Sequence, residues 1–332
     1  MSMHHLYLMT LSLLLLCGCQ RRDLTYDYEE GVPFRVELNW SNLKTGEEQP
    51  QYVKALFFPA GGGKAVERYI KTEGQEVQVP AGAYNIIIYT WRTNAVAQTV
   101  QFRGNSYDTF EAYTEEKDLR LPLQRSGNSI PVVPQPDALY AWNSTNDPVE
   151  ISYTKGLTTK SQSVSKSKSA SPHTLIAVMQ SMVREYQFEI NVRNAEELNS
   201  LYAVLTEVYG SQPLGNGTKS DQRYGLLAQE VVPVGESGEI TTYRCSVKAF
   251  GFHDTDKSFI INITNTSGGG QQETIDITGA IDNQDNGTTS PGEPIVVAPK
   301  EKPIEVERSE VGGGFVPPTL GDWEQKNEDI DM

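Results

Sequence analysis

"VPFRVELNW", residues 32–40, sets Phe34, Val36, Leu38 and Trp40 against Arg35, Glu37 and Asn39 in strict alternation. A period of two puts the two sets on opposite faces of an extended chain, so the stretch reads as a strand with one face buried and one in water. The same kind of segment recurs at short spacing on the C-terminal side: "YVKALFFP" (52–59), "QEVQVP" (75–80), "AYNIIIYTW" (83–91) and "AQTVQF" (97–102). Turn residues separate them, including Ala81-Gly82. No amphipathic helix of comparable strength appears before residue 150. Short strands bounded by Gly, Pro and Asn, without helices between them, predict an all-β sandwich.

Residues 155–172, "KGLTTKSQSVSKSKSASP", carry four lysines, many serines and almost no apolar side chain. Such a stretch cannot bury a face and reads as a linker or long loop. A second block opens with "HTLIAVMQSMVREYQFEINVRN" (173–194), whose later half, Val183 to Val192, predicts a long strand. "AEELNSLYAVLTEVYG" (195–210) has Leu198, Leu201, Tyr202, Leu205 and Val208 near helical spacing, with Gly210 as a stop, and is the one helix candidate. A sandwich could equally take its latter part as a strand. "LLAQEVVPV" (226–234), "EITTYRCSVKAFGF" (239–252), "SFIINITN" (258–265) and "QQETIDITGAI" (271–281) return to strand pattern.

At the N-terminus, the apolar run Leu6 to Leu16 spans eleven residues, short of the ~20 that a membrane helix needs. It reads as the core of a signal peptide. The junction Leu16-Cys17-Gly18-Cys19 resembles the lipobox of bacterial lipoproteins, with cleavage between Gly18 and Cys19 and lipid on the Cys19 thiol. The n-region lacks Lys and Arg, and Cys17 stands where a lipobox usually has another residue. A Cys-x-Cys metal or redox site would need partner ligands, and none follow. Two or more acyl chains hold a protein stably on a bilayer where one does not.

The resulting division is a lipoprotein signal peptide over 1–18, a lipidated tether over 19–30, an N-terminal β-sandwich over 31–154 and the Ser/Lys-rich linker over 155–172. A C-terminal β-sandwich over 173–281 and a Gly/Pro-rich segment over 282–332, partly docked through Trp323, complete it. After Cys19 the only thiol is Cys245, which reads as a small hydrophobe in a strand. The formal charge is −15, so the surface repels phosphate backbones and nucleic acid is not an expected partner.

The residues that could carry local chemistry fall in loops and turns. No HExxH, GxSxG or CxxC occurs, so no catalytic residue, cofactor or metal ligand is assigned. "FHDTD" (252–256) places His253, Asp254 and Asp256 together but reads as a turn. Glu115-Glu116 reads as a loop pair. "FFPAGGGKA" (57–65) is a hairpin loop, because Ala65 stands where a phosphate-binding loop needs Ser or Thr. "DNQDNGTTSPGE" (282–293) can be numbered as a calcium loop with Asp282, Gln284, Asn286, Gly287 and Glu293 in place. Pro291 and Gly292 interrupt the exiting helix, so a flexible loop is the stronger reading.

"FRVELNW" (34–40), "FRGNSYDTFEAYT" (102–114), "PDALYAW" (136–142) and "GGGFVPPTLGDWEQKNEDI" (312–330) resemble an uncharacterised Bacteroidetes lipoprotein family. That family is similar to the fimbrial anchor and accessory lipoproteins of the fimbrillin superfamily. The resemblance implies an all-β chain of two tandem transthyretin-like, Greek-key β-sandwiches on an outer-membrane lipid anchor. It also implies a non-enzymatic fimbrial anchor or accessory assembly protein, with fimbrial subunits as partners through strand exchange. Gln20-Arg21-Arg22-Asp23 lacks the acidic cluster that resembles surface-export signals, so both the cell-surface and the periplasmic face stay open. The alternative is a surface glycan-binding lipoprotein of a polysaccharide-uptake system, which would use exposed Tyr and Trp.

Overall fold

The computed structural model describes residues 31–44, 46–91, 98–122, 129–145, 147–152, 173–286 and 294–307. Within them the chain is all-β with a single α-helix. The first half contributes β1 (Val32–Asn39), β2 (Tyr52–Pro59), β3 (Val66–Lys71), β4 (Gln75–Val79), β5 (Gly82–Trp91), β6 (Val100–Arg103), β7 (Glu111–Thr114), β8 (Lys117–Pro122), β9 (Ser129–Val133), β10 (Tyr140–Asn143) and β11 (Val149–Ile151). The second contributes β12 (His173–Val178), β13 (Gln180–Ser181), β14 (Arg184–Arg193), β15 (Leu198–Tyr209), β16 (Ser211–Pro213), β17 (Arg223–Ser237), β18 (Ile240–Ala249), β19 (Ser258–Asn265) and β20 (Gly270–Asp276). Helix α1 (Thr278–Asp285), β21 (Ile295–Ala298) and β22 (Ile304–Glu305) close the described chain.

The alternation of 32–40 acts as expected. Phe34 and Val36 of β1 are buried, and they face Phe57, Ile86 and Ile88 of β2 and β5 in one apolar core. The ring of Phe34 meets that of Phe57 edge to face at 5.9 Å, the geometry that aromatic quadrupoles favour. The core lies between a three-stranded sheet, β12-β1-β4, and a larger one, β13-β10-β5-β2-β3, with β11 paired to β5. Gly62 and Gly63 take positive φ in the turn joining β2 to β3. The glycine-rich stretch is thus the hairpin loop its residues suggested.

The second core lies between two leaves of the ten-stranded sheet. One leaf is β20-β19-β15 and the first part of β17. The other is the last part of β17 followed by β18, β14 and β21. Strand β17 changes leaf at a bulge between Gln229 and Val232, where Glu230 has φ +57. Such an extra residue bends a strand and lets it turn a sandwich corner. Phe188 and Phe259 stack across this core with centroids 4.6 Å apart.

Four strand pairings join the halves. β12 runs parallel to β1, and β13 pairs with β10, so residues 173–181 lie in the sheets of the N-terminal half. β9 runs parallel to β17, and β16 pairs with β7. The small sheet β16-β7-β6 covers the outer face of β2, β5 and β10, where Phe58, Tyr89, Phe110, Leu214 and Phe250 share one buried cluster.

Two expectations are corrected. Residues 195–210 form no α-helix: a short 3-10 turn at Ala195–Glu197 leads into the twelve-residue strand β15. Both faces of β15 are buried, Ala203 and Leu205 in one core and Tyr202 and Val204 in another. A strand covered on both faces shows a nearly continuous apolar run, which mimics helical spacing. Conversely, "QQETIDITGAI" is strand only through Asp276, and Thr278–Asp285 is helix.

Candidate functional site

Gly18 and Cys19, the expected cleavage and lipid-attachment residues, lie outside the described residues, as do the Ser/Lys-rich linker and the tail with Trp323. Asp282 sits in α1, not in an open loop, and accepts a hydrogen bond from Lys257 Nζ at 2.9 Å. Asp285 accepts one from the Tyr186 hydroxyl at 2.9 Å and pairs with Arg184 at 2.5 Å. Burial pushes the Tyr186 phenol up, with the Asp285 carboxylate adding to it. The first position of the calcium-loop numbering is therefore engaged by a cation of the protein itself.

His253 is buried, stacks on Tyr209 at 4.0 Å and bonds the Gln222 carbonyl at 3.1 Å. Its neighbour Thr255 donates to Glu207 at 2.9 Å. The segment 252–256 works as a folded turn between β18 and β19. Glu115 and Glu116 are exposed, and Glu115 accepts from Gln101 at 3.1 Å. Among the described residues no three His, Cys, Asp or Glu side chains gather as a metal site.

Cys245 is 2 % exposed in the second core, and burial pushes its thiol up to about 12. A thiol held protonated is a poor nucleophile. The strand reading of this residue holds.

The sheet edges remain as contact elements. Backbone N–H and C=O groups on an edge accept another chain unless something blunts them. β3 is blunted by Arg68, whose guanidinium donates to the Gln78 carbonyl at 2.8 Å. The last part of β17 carries Pro233, and its pairing with β18 is broken by two register shifts. β21 is short, with a register shift against β14. β20 differs: its seven residues pair with β19 in unbroken register, without proline or lysine, and no described strand lies on its other side. Edge regularity depends on pairing, which strand patterning alone does not reveal.

A cleft of about 1130 Å³ lies between residues 46–51 and 134–138 of the first half and β17 and β18 of the second. Tyr140 stands in it, its hydroxyl donating to Glu47 at 2.6 Å and accepting from the Lys44 amide at 3.0 Å. Gln135 crosses the junction, accepting from the Lys248 amide at 2.9 Å and donating to the Leu227 carbonyl at 3.1 Å. The two Gln135 bonds tie the halves together.

An all-β chain of packed sheets whose halves trade strands is the class these features define. The chain belongs to the DUF5119 family, a domain of unknown function, whose model matches residues 18–227. It is 26 % identical over 338 aligned positions to a Bacteroides ovatus protein named as a candidate fimbrium anchoring subunit, Fim4B, covering 94 % of this chain and 93 % of that one. A crystal structure named as a candidate adhesin from Bacteroides ovatus superposes with TM-score 0.59 at 23 % identity, covering 89 % of this chain and 99 % of that one. Another candidate adhesin, from Bacteroides thetaiotaomicron, gives TM-score 0.50 at 9 % identity over 77 % of this chain and 84 % of the other. These two establish shared architecture.

Proposed function

We propose that the protein is a non-enzymatic lipoprotein of the outer membrane that anchors or assists a fimbrial assembly. The observation that carries this reading is the near-full-length similarity to the candidate fimbrium anchoring subunit of Bacteroides ovatus. In this reading Cys19 carries the lipid after cleavage behind Gly18, residues 19–30 tether the body, and the body is two tandem transthyretin-like sandwiches. The anchored body faces the cell surface. A fimbrial subunit docks by adding a strand to an edge, and we take β20 as that edge, since its seven-residue ladder with β19 carries no proline or bulge. The strand pairings between halves suit an anchor, because a pull on one half is shared by backbone hydrogen bonds with the other.

The test is crosslinking and capture from intact cells carrying wild type or Cys19→Ala. Recovery of fimbrial subunits, with fimbriae shed into the medium by the Ala variant, supports the anchor and the lipid together. Capture of transporter or polysaccharide partners with no fimbrial subunit sinks it.

A further inference from the structure

The outer face of the β2-β3-β5 sheet is only partly covered by the small sheet β16-β7-β6. Beyond that cover, cross-strand register lines up Lys71, Tyr52 and Trp91 in one row and Tyr69, Lys54 and Tyr89 in the next. Directly opposed residues share a face. Tyr52 is 38 % exposed, Tyr69 50 %, and Trp91 is half-buried. The Lys54 ammonium lies 5.0 Å from the Trp91 ring centre and 5.8 Å from that of Tyr69, and pairs with Glu67 at 2.7 Å. Behind the patch, Tyr89 and Phe102 brace Trp91 at 6.4 and 6.1 Å. Trp91 is thus fixed in place before any ligand arrives.

From this geometry we infer a binding platform for an acidic polysaccharide on Tyr52, Tyr69 and Trp91, with the exposed Lys71 supplying the charge. Aromatic faces are electron-rich and attract the polarised C–H groups of a pyranose ring. Ammonium groups beside them suit a carboxylate or sulfate on the same sugar. Lys54 is paired with Glu67, so Lys71, exposed at the end of β3, is the cation a ligand meets on this face. At physiological salt the Debye length is about 8 Å, so a ligand on this face feels Lys71 more than acids lying beyond that distance. A nucleic acid strand also stacks on rings, but its charge at every phosphate makes it far more sensitive to the acidic remainder of the surface. A protein partner would need a wider buried face than these three rings provide. The inference is independent of the fimbrial reading, since it concerns a different face from β20.

The test is affinity electrophoresis of the full mature chain carrying Cys19→Ala through native gels containing hyaluronan, which bears one carboxylate per disaccharide, or neutral dextran. Hyaluronan retards the protein and dextran does not. Tyr69→Ala weakens retention about tenfold, the loss of one aromatic contact. Trp91→Ala weakens it further, and Lys71→Ala removes much of its salt dependence. The Tyr69 change is on the surface and leaves thermal unfolding in place, which separates lost binding from lost folding. No retention by hyaluronan, or retention that Tyr69→Ala leaves unchanged, overturns the site. Equal retention by dextran overturns the acidic ligand, and a dimer in sedimentation that Tyr69→Ala dissolves assigns the patch to self-association instead.

Discussion

Lys257 and Asp282 fasten helix α1 to the second sandwich: Nζ lies 2.9 Å from Oδ1, and the lysine side chain is only 4 % exposed. A second bond from Lys257 Nζ reaches the Thr255 carbonyl at 3.2 Å. Asp282→Ala therefore strands a buried ammonium. A fully buried pair broken from one side costs ~3–5 kcal/mol, and the half-exposed position of Asp282 lowers the expected loss to about 1–3 kcal/mol. Urea unfolding of the variant shows this as a lower midpoint with unchanged slope. Millimolar calcium leaves wild-type stability unchanged, because the lysine already occupies Asp282.

Cys245 is expected to be inert in the folded state. Its thiol is pushed up to about 12 by burial, so near neutral pH almost no thiolate exists to react. In the Cys19→Ala chain, iodoacetamide at pH 8 modifies Cys245 only when denaturant is added. Rapid labelling of the native protein would show that the core around β18 opens.

Alkaline pH weakens the fold. Burial pushes the Tyr140 phenol from 10.0 up to about 12, and its hydrogen bond to Glu47 adds to the rise. Tyr89 and Tyr186 are also raised, first by burial. A raised folded-state value means that the unfolded chain loses its proton first. The stability tied to these phenols is therefore whole below pH 10.0 and declines as pH climbs toward about 12. Thermal unfolding across that interval follows this decline, and Tyr140→Phe makes it shallower.

Much of the framework was legible before the structure. The alternation of 32–40 and of Tyr186 to Val192 predicted β1 and β14, because each buries one face and wets the other. β15 was ambiguous because it is buried on both sides. Helix α1 was missed for a different reason: it has no side-chain N-cap, and Ile281 is its one buried residue, so neither capping nor amphipathic spacing marked it. Pairings such as Phe34 with His173 join residues far apart in sequence. No local pattern encodes those, and the aromatic platform likewise exists only once the register of Tyr52 with Trp91 is known.

Gly104, between β6 and β7, illustrates a turn that admits no side chain. Its φ is +102, and an added Cβ would lie 2.2 Å from the Thr109 carbonyl oxygen. Gly104→Ala combines left-handed strain with a backbone clash and costs about 2 kcal/mol or more. Because β7 also pairs with β16, the loss extends to the junction between halves. A lowered melting temperature together with new protease cutting near β6 checks this.

The edge role of β20 can be separated from its folding role by proline placement. In an antiparallel ladder, neighbouring residues alternate between pointing their N–H toward the partner strand and away from it. Of Gln272→Pro and Glu273→Pro, one therefore deletes a bond to β19 and the other deletes an outward donor. The first destabilises the sandwich. The second keeps its melting temperature within a few degrees and abolishes capture of the fimbrial subunit. Comparing unfolding with crosslinking yield for the pair identifies which is which. If the stable variant still captures the subunit at wild-type yield, the strand is not added at β20, and docking must be sought on another edge.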